Sequence, residues 1–188
     1  YPFAEAALSW IAHDDMKISA TELDQRLGEL RNTYPSEVTY ALQNLADSHD
    51  TDRMVSKIFN PDRAFDEGNR EQNDPTYDGG KPSDLSYRRA RLFALLQMTY
   101  VGAPMVYYGD EAGMWGSDDP NNRKPMLWKD LEPYDTPDQN RVDEDHLEFY
   151  RSAIALRRGH AALRIGGFQT LIADDSQDLW VFIRDDAD

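Results

Sequence analysis

Val38-Thr39-Tyr40-Ala41-Leu42-Gln43-Asn44-Leu45-Ala46 runs directly into Asp47-Ser48-His49-Asp50, and the fold turns on how this stretch is read. The apolar, partly alternating run is short for a helix and stops at a polar cluster, which predicts a buried strand delivering polar groups from its carboxyl end. Met105-Val106-Tyr107-Tyr108 predicts a second short strand, followed at once by Gly109-Asp110-Glu111.

Helices are expected on either side of these strands. Phe3, Ala6, Ala7, Trp10 and Ile11 form a helical stripe behind Pro2. Ser19 and Glu22 read as a capping box ahead of Leu23, Leu27 and Leu30, with Tyr34-Pro35 as the stop. Ser83 or Asp84 caps a helix whose face is marked by Leu92, Leu95, Leu96 and Thr99 and which ends at Gly102-Ala103-Pro104. Leu147, Tyr150 and Ile154 mark a last helix closed by Gly159, where a left-handed residue is expected. This order is the α/β alternation of a parallel sheet closed by helices. Phe168 to Ala173 and Leu179 to Arg184 depart from it as two adjacent strands, so residues 1–160 are expected to form one unit and 161–188 the start of another. Between the strands, residues 60–84 hold Pro61, Pro75, Pro82, Gly68, Gly79 and Gly80 among charges, a long loop expected to overhang the strand ends.

Twenty Lys and Arg against 35 Asp and Glu give a formal charge of −15, which disfavours nucleic acid and anionic membrane surfaces as partners. Ten Tyr, seven Phe and four Trp in so acidic a chain suit a protein that stacks rings on a neutral ligand, though they equally furnish an aromatic core. Zero cysteines exclude disulfides, thiolate zinc sites and a Cys nucleophile, and they leave the compartment open. No stretch approaches the roughly 18 apolar residues of a membrane span. A chain that opens on Tyr1-Pro2-Phe3 directly in a helical pattern, with no Met, is expected to be part of a longer one.

In parallel α/β folds the ligand lies beyond the carboxyl ends of the strands. Both expected strands end in acids there: Asp47 and Asp50 with His49 on the first, Asp110 and Glu111 on the second. Paired carboxylates can act as acid, base or charge stabiliser, while an Asp after a strand also serves commonly as a helix N-cap. Asp119 and Arg123, four apart in a polar loop, read by themselves as a local surface pair that shapes the loop. Trp115, set among polar residues, is the expected aromatic platform. His13, His146 and His160 lack partners at metal spacing, and Asp66-Glu67-Gly68-Asn69 lacks the alternating ligands of a calcium loop.

Three ordered segments, Asn44-Leu45-Ala46-Asp47-Ser48-His49-Asp50-Thr51, Gly102-Ala103-Pro104-Met105-Val106-Tyr107-Tyr108-Gly109-Asp110-Glu111-Ala112-Gly113-Met114 and Asp119-Pro120-Asn121-Asn122-Arg123-Lys124-Pro125-Met126-Leu127-Trp128, resemble the alpha-amylase superfamily, glycoside hydrolase family 13. The third is most similar to its neopullulanase and cyclomaltodextrinase branch. The resemblance implies the C-terminal portion of a TIM (β/α)8 barrel, from its sixth helix through its eighth, followed by the first strands of a C-terminal β-sandwich domain. It implies an α-glucan as partner and Asp50 as the catalytic acid that stabilises the transition state. His49 is implied as a substrate-binding neighbour, and Asp119 with Arg123 as a pair gripping a further glucose. Asp110, Glu111 and Arg53 are expected to be supporting groups. The nucleophilic Asp and acid/base Glu motifs of the family do not occur in this sequence, so the chain alone is expected not to turn over. No cofactor and no metal is required by this segment; calcium in a longer parent and assembly as a homo-oligomer are left open. The other reading is a non-catalytic α-glucan-binding or structural piece.

Overall fold

The computed structural model describes residues 1–185, and the last three residues of the 161–188 segment lie outside the described part. Helix α1 (Pro2–Ile11) buries Phe3, Ala7 and Ile11, as their spacing dictates, with Pro2 in its first turn. Helix α2 (Ala20–Asn32) starts where the Ser19 hydroxyl accepts from Glu22 N. The Glu22 carboxylate does not complete the capping box, because it accepts from Arg26 one turn on.

The expected strand at 38–46 is corrected to a short helix and a shorter strand. Pro35 opens helix α3 (Ser36–Thr39), and Leu42 N donates to Val38 O at 3.1 Å, so the alternating residues are taken up in helical turns. Strand β1 is Gln43–Leu45 alone. Helix α4 (Met54–Phe59), absent from the sequence-based expectation, is started by a residue seven positions upstream: Asp47 Oδ2 accepts from Met54 N at 2.6 Å. Helix α5 (Asp84–Thr99) is capped by Ser83 as expected, but its buried face is Tyr87, Ala90, Phe93, Ala94 and Gln97. Leu92 and Leu95 are instead half-exposed, since α5 packs between α4 and α6 and turns them toward an open apolar groove.

Strand β2 is Ala103–Met105, starting two residues ahead of the expected Met105–Tyr108. Gly102, at φ 117°, reverses the chain out of α5 so early that pairing begins at Ala103; a Cβ there would lie 2.7 Å from the Asn44 side chain. β1 and β2 are parallel neighbours, Gln43 opposite Ala103 and Leu45 opposite Met105. Two buried amides staple them: Asn44 donates to Val101 O at 2.7 Å, and Gln97 donates to Asn44 O at 2.5 Å and Met105 O at 2.8 Å.

Short 3-10 turns at Asn121–Arg123 and Lys129–Leu131 interrupt the polar loop before helix α6 (Glu144–Gly159), which Asp143 caps. Gly159 stays helical rather than left-handed; the break falls at His160, after which helix α7 (Ala161–Ile165) resumes. Strands β3 (Gln169–Asp174) and β4 (Leu179–Ile183) form the expected antiparallel hairpin. It packs on α2 and places Phe168, Trp180 and Phe182 around Tyr100, with ring centroids 5.1–6.3 Å apart. Carbonyls at the end of α5 find donors far along the chain: Arg157 of α6 bonds Met98 O at 2.9 Å and Gly102 O at 2.6 Å, and Arg184, just past β4, bonds Thr99 O at 2.8 Å.

Candidate active site

The turn after β1 is tied down by its own short side chains. Ser48 N donates to Thr51 Oγ1 at 3.1 Å, and Asp50 N donates to Ser48 Oγ at 3.1 Å. The side chains of His49 and Asp50 are left pointing outward, 66% and 57% exposed, with His49 Nε2 3.2 Å from Asp50 Oδ1. Arg123 reaches them from the loop after β2. Its Nε donates to His49 O at 2.9 Å and stands 3.5 Å from Asp119 Oδ1, while Nη2 is 3.7 Å from Asp50 Oδ1. All four expected site residues therefore meet, and Arg123 spans the two acids. Ion pairs this exposed add little to stability.

Beneath it, Arg53 is fully buried. Its Nη1 donates to Tyr108 O at 2.8 Å and to Asp110 Oδ1 at 3.2 Å, and its guanidinium lies 4.7 and 5.0 Å from the Tyr107 and Tyr108 rings. Arg53 thus joins the two strand ends, and Asp110 is its partner. Glu111 Oε2 accepts from Gly109 N at 2.9 Å, closing the turn it belongs to. Burial raises the pKa of both Asp47 and Asp110. Asp110 goes well above the carboxylate range because the charge of Asp47 reinforces the effect more than Arg53 opposes it.

Trp115 is corrected from an exposed platform to a core residue. It is 7% exposed, its carbonyl accepts from Lys124 and Gln139, and the Lys124 ammonium lies over its ring. Trp128 is the exposed indole of this loop, at 57%.

Sequence reasoning missed a second layer. Asp52 is buried, accepts from Tyr77 Oη at 3.0 Å and lies 4.0 Å from the buried ammonium of Lys57; burial pushes its pKa to about 6. Asn122, wholly buried, donates to Thr51 O at 2.7 Å. The 60–84 loop is stitched to the loop of Asp119 by Arg70 Nε on Asp118 at 2.7 Å and by Asp118 N on Asn69 O at 2.9 Å. Only the loop's length and composition signalled that it would reach this rim, since its partners lie some 48 residues away. Among the described residues no group of three or more His, Asp or Glu side chains is arranged to hold a metal.

No family model matches the chain. It is 36% identical over 186 residues to a cyclomaltodextrinase of Geobacillus thermopakistaniensis (strain MAS1), covering 99% of this chain and 26% of the relative. It is 34% identical over 184 residues to neopullulanase 2 of Thermoactinomyces vulgaris, covering 98% of this chain and 25% of that protein. A solved cyclomaltodextrinase superposes with a TM-score of 0.72 at 32% identity, over 99% of this chain and 26% of that one. The chain spans about a quarter of the length of these relatives. The resemblance to the neopullulanase and cyclomaltodextrinase branch of the alpha-amylase superfamily extends over nearly all of it.

Proposed function

We propose that this chain is a segment of a retaining α-glucan hydrolase of the alpha-amylase superfamily: the last helices and strands of its (β/α)8 barrel, with the first strands of a β-sandwich from about residue 161. The observation that carries the proposal is the meeting of His49, Asp50, Asp119 and Arg123 beyond the carboxyl ends of two parallel, adjacent strands. That rim is where barrel enzymes hold substrate. Substrates of the intact protein are maltooligosaccharides, cyclodextrins or pullulan, with α-1,4 and α-1,6 bonds, and the nucleophile and acid/base come from strands upstream of Tyr1.

Each residue has a physical role in this reading. The oxocarbenium-like transition state gains positive charge that the ground state lacks, so a fixed Asp50 carboxylate binds it selectively. His49 donates to a hydroxyl of the same ring, and Arg123 with Asp119 presents a rigid fork of donors beside an acceptor to the next sugar. No cofactor or metal enters these steps.

In the intact protein, Asp50→Asn is expected to lower kcat by about two to three orders of magnitude with KM little changed, because shape is kept and charge is lost. Steady-state kinetics showing a loss below about tenfold would remove Asp50 from the chemistry. Arg123→Ala should raise KM for maltoheptaose more than for maltotriose. It should also lower kcat severalfold, since the same guanidinium lies beside Asp50. Equal losses on short and long substrates would make the Asp119–Arg123 pair structural.

A further inference from the structure

Asn122 sits between the two halves of this site without facing either ligand-accessible side. Its Nδ2 donates to Thr51 O at 2.7 Å and, at 3.4 Å, to Ser48 O, the two carbonyls that bracket His49 and Asp50. Both partners are acceptors, so the amide has one workable orientation, and that orientation leaves Oδ1 buried with no partner. The next residue is Arg123. Tyr107 Oη, at 3.4 Å from Asn122 O, holds the turn from the β2 side. Gly116 backs it so closely that a Cβ there would stand 2.1 Å from Asn121 O. The Arg123 turn and the Asp50 turn are therefore joined twice, by the Asn122 amide on Thr51 O and Ser48 O and by Arg123 Nε on His49 O at 2.9 Å, and the 3.7 Å gap between Arg123 and Asp50 lies between these two links.

On the reading proposed above, we infer that Asn122 is a positioning residue: it fixes the Asp50 carboxylate against Arg123, so that the reacting sugar and the next one along are held in register. It touches no substrate. Its effect passes through the backbone of residues 48–51 and through Arg123. A misplacement of Asp50 by a fraction of an ångström acts on the transition state more than on the bound ground state, so the loss falls on kcat.

The test is steady-state kinetics of Asn122→Ala, Asn122→Asp and Asp50→Asn in the intact protein, on maltoheptaose across pH, with thermal unfolding of each variant. Asn122→Ala should lower kcat by about tenfold or more while KM changes less than about threefold. Asn122→Asp sets a carboxylate against two carbonyl oxygens in a buried site, which raises its pKa; once protonated, its O–H can donate to Thr51 O. Its activity relative to the parent should therefore climb as pH falls from about 8 to about 5, whereas the relative activity of Asn122→Ala stays flat. A merely structural brace would lower Tm without that pH signature. If Asp50→Asn abolishes turnover but Asn122→Ala keeps kcat within about twofold, the inference fails and the proposed function stands. If both Asn122 variants lose the folded state, the inference also fails, in favour of a brace. Undiminished kcat in Asp50→Asn would instead overturn the proposed function.

Discussion

Arg53 lies among two carboxylic acids and two phenol rings with no access to solvent, so its charge has to be matched inside the protein. Burial lifts Asp47 and Asp110 together, and the charge of Asp47 lifts Asp110 further, which favours one shared proton on the pair beside the single guanidinium. Asp110→Asn mimics the protonated acid and should cost below about 1 kcal/mol in denaturant unfolding of the intact protein, whereas Arg53→Met strands a buried carboxylate and should cost about 3–5 kcal/mol. Equal costs would refute the shared-proton arrangement. His146 carries a pH dependence of definite sign. Burial lowers its pKa from 6.5 to about 4, so the unfolded chain takes up a proton first as the medium acidifies. Stability therefore falls as pH drops from about 6.5 to about 4, by up to about 3 kcal/mol. Asp52, raised by burial to about 6, works in the opposite direction, gaining stability as pH falls through that value. The two largely mask each other in the parent. His146→Gln should unmask the second: the difference in Tm between variant and parent should move in the variant's favour between about pH 7 and 4.5. A difference independent of pH would show that His146 does not titrate in this way.

At the scale of elements, the β3–β4 hairpin is attached to α2 at two places, its turn by Asp175 Oδ1 accepting from Thr21 N at 2.8 Å and its strands by the Asp24 carboxylate. Asp24 Oδ1 accepts from the indole of buried Trp180 at 3.1 Å and from the Thr170 hydroxyl. Asp24→Ala should weaken that docking by about 2 kcal/mol and speed hydrogen exchange across residues 169–183 ahead of α5; uniform acceleration would mean that the hairpin is not separately anchored. Elements whose causes are local were legible in the sequence. Pro2, Ser19 and Ser83 marked helix starts because their effects reach only three or four residues, and the hairpin was marked by two apolar runs around a polar turn. Helix α4 was hidden because its cap is Asp47, and β2 was misplaced because Gly102 fixes the pairing by its approach to Asn44. The buried face of α5 was misjudged for a similar reason. Leucine spacing marks a stripe, but the helices on either side decide which stripe is covered. His49, Asp50, Asp119 and Arg123 were legible as a motif. Asn122 was not, since nothing in its own neighbourhood shows that its amide lies 71 residues from its partner in sequence.

For the whole molecule, two short parallel strands fall below what a sheet needs for independent stability, and parallel strands are ordinarily buried on both faces. The 188-residue chain by itself is therefore expected to self-associate and to release no reducing sugar from maltoheptaose. Its charge of −15 opposes association at low salt, so light scattering should show larger species as ionic strength rises. A monomer at all salt concentrations, or turnover abolished by Asp50→Asn, would contradict this. The arginines that serve the end of α5 impose an order in time. Met98 and Thr99 wait for donors that are 59 and 85 residues further along. At a synthesis rate of about 5–20 residues per second, the second arrives roughly 4–17 s after the helix itself. Until then water must cap those carbonyls, and the leucines of α5 are displayed to solvent or to a chaperone. A ribosome that pauses between the codons of Thr99 and Arg184 prolongs that exposure, and synonymous changes that slow this stretch should lower the yield of folded protein without altering a single side chain.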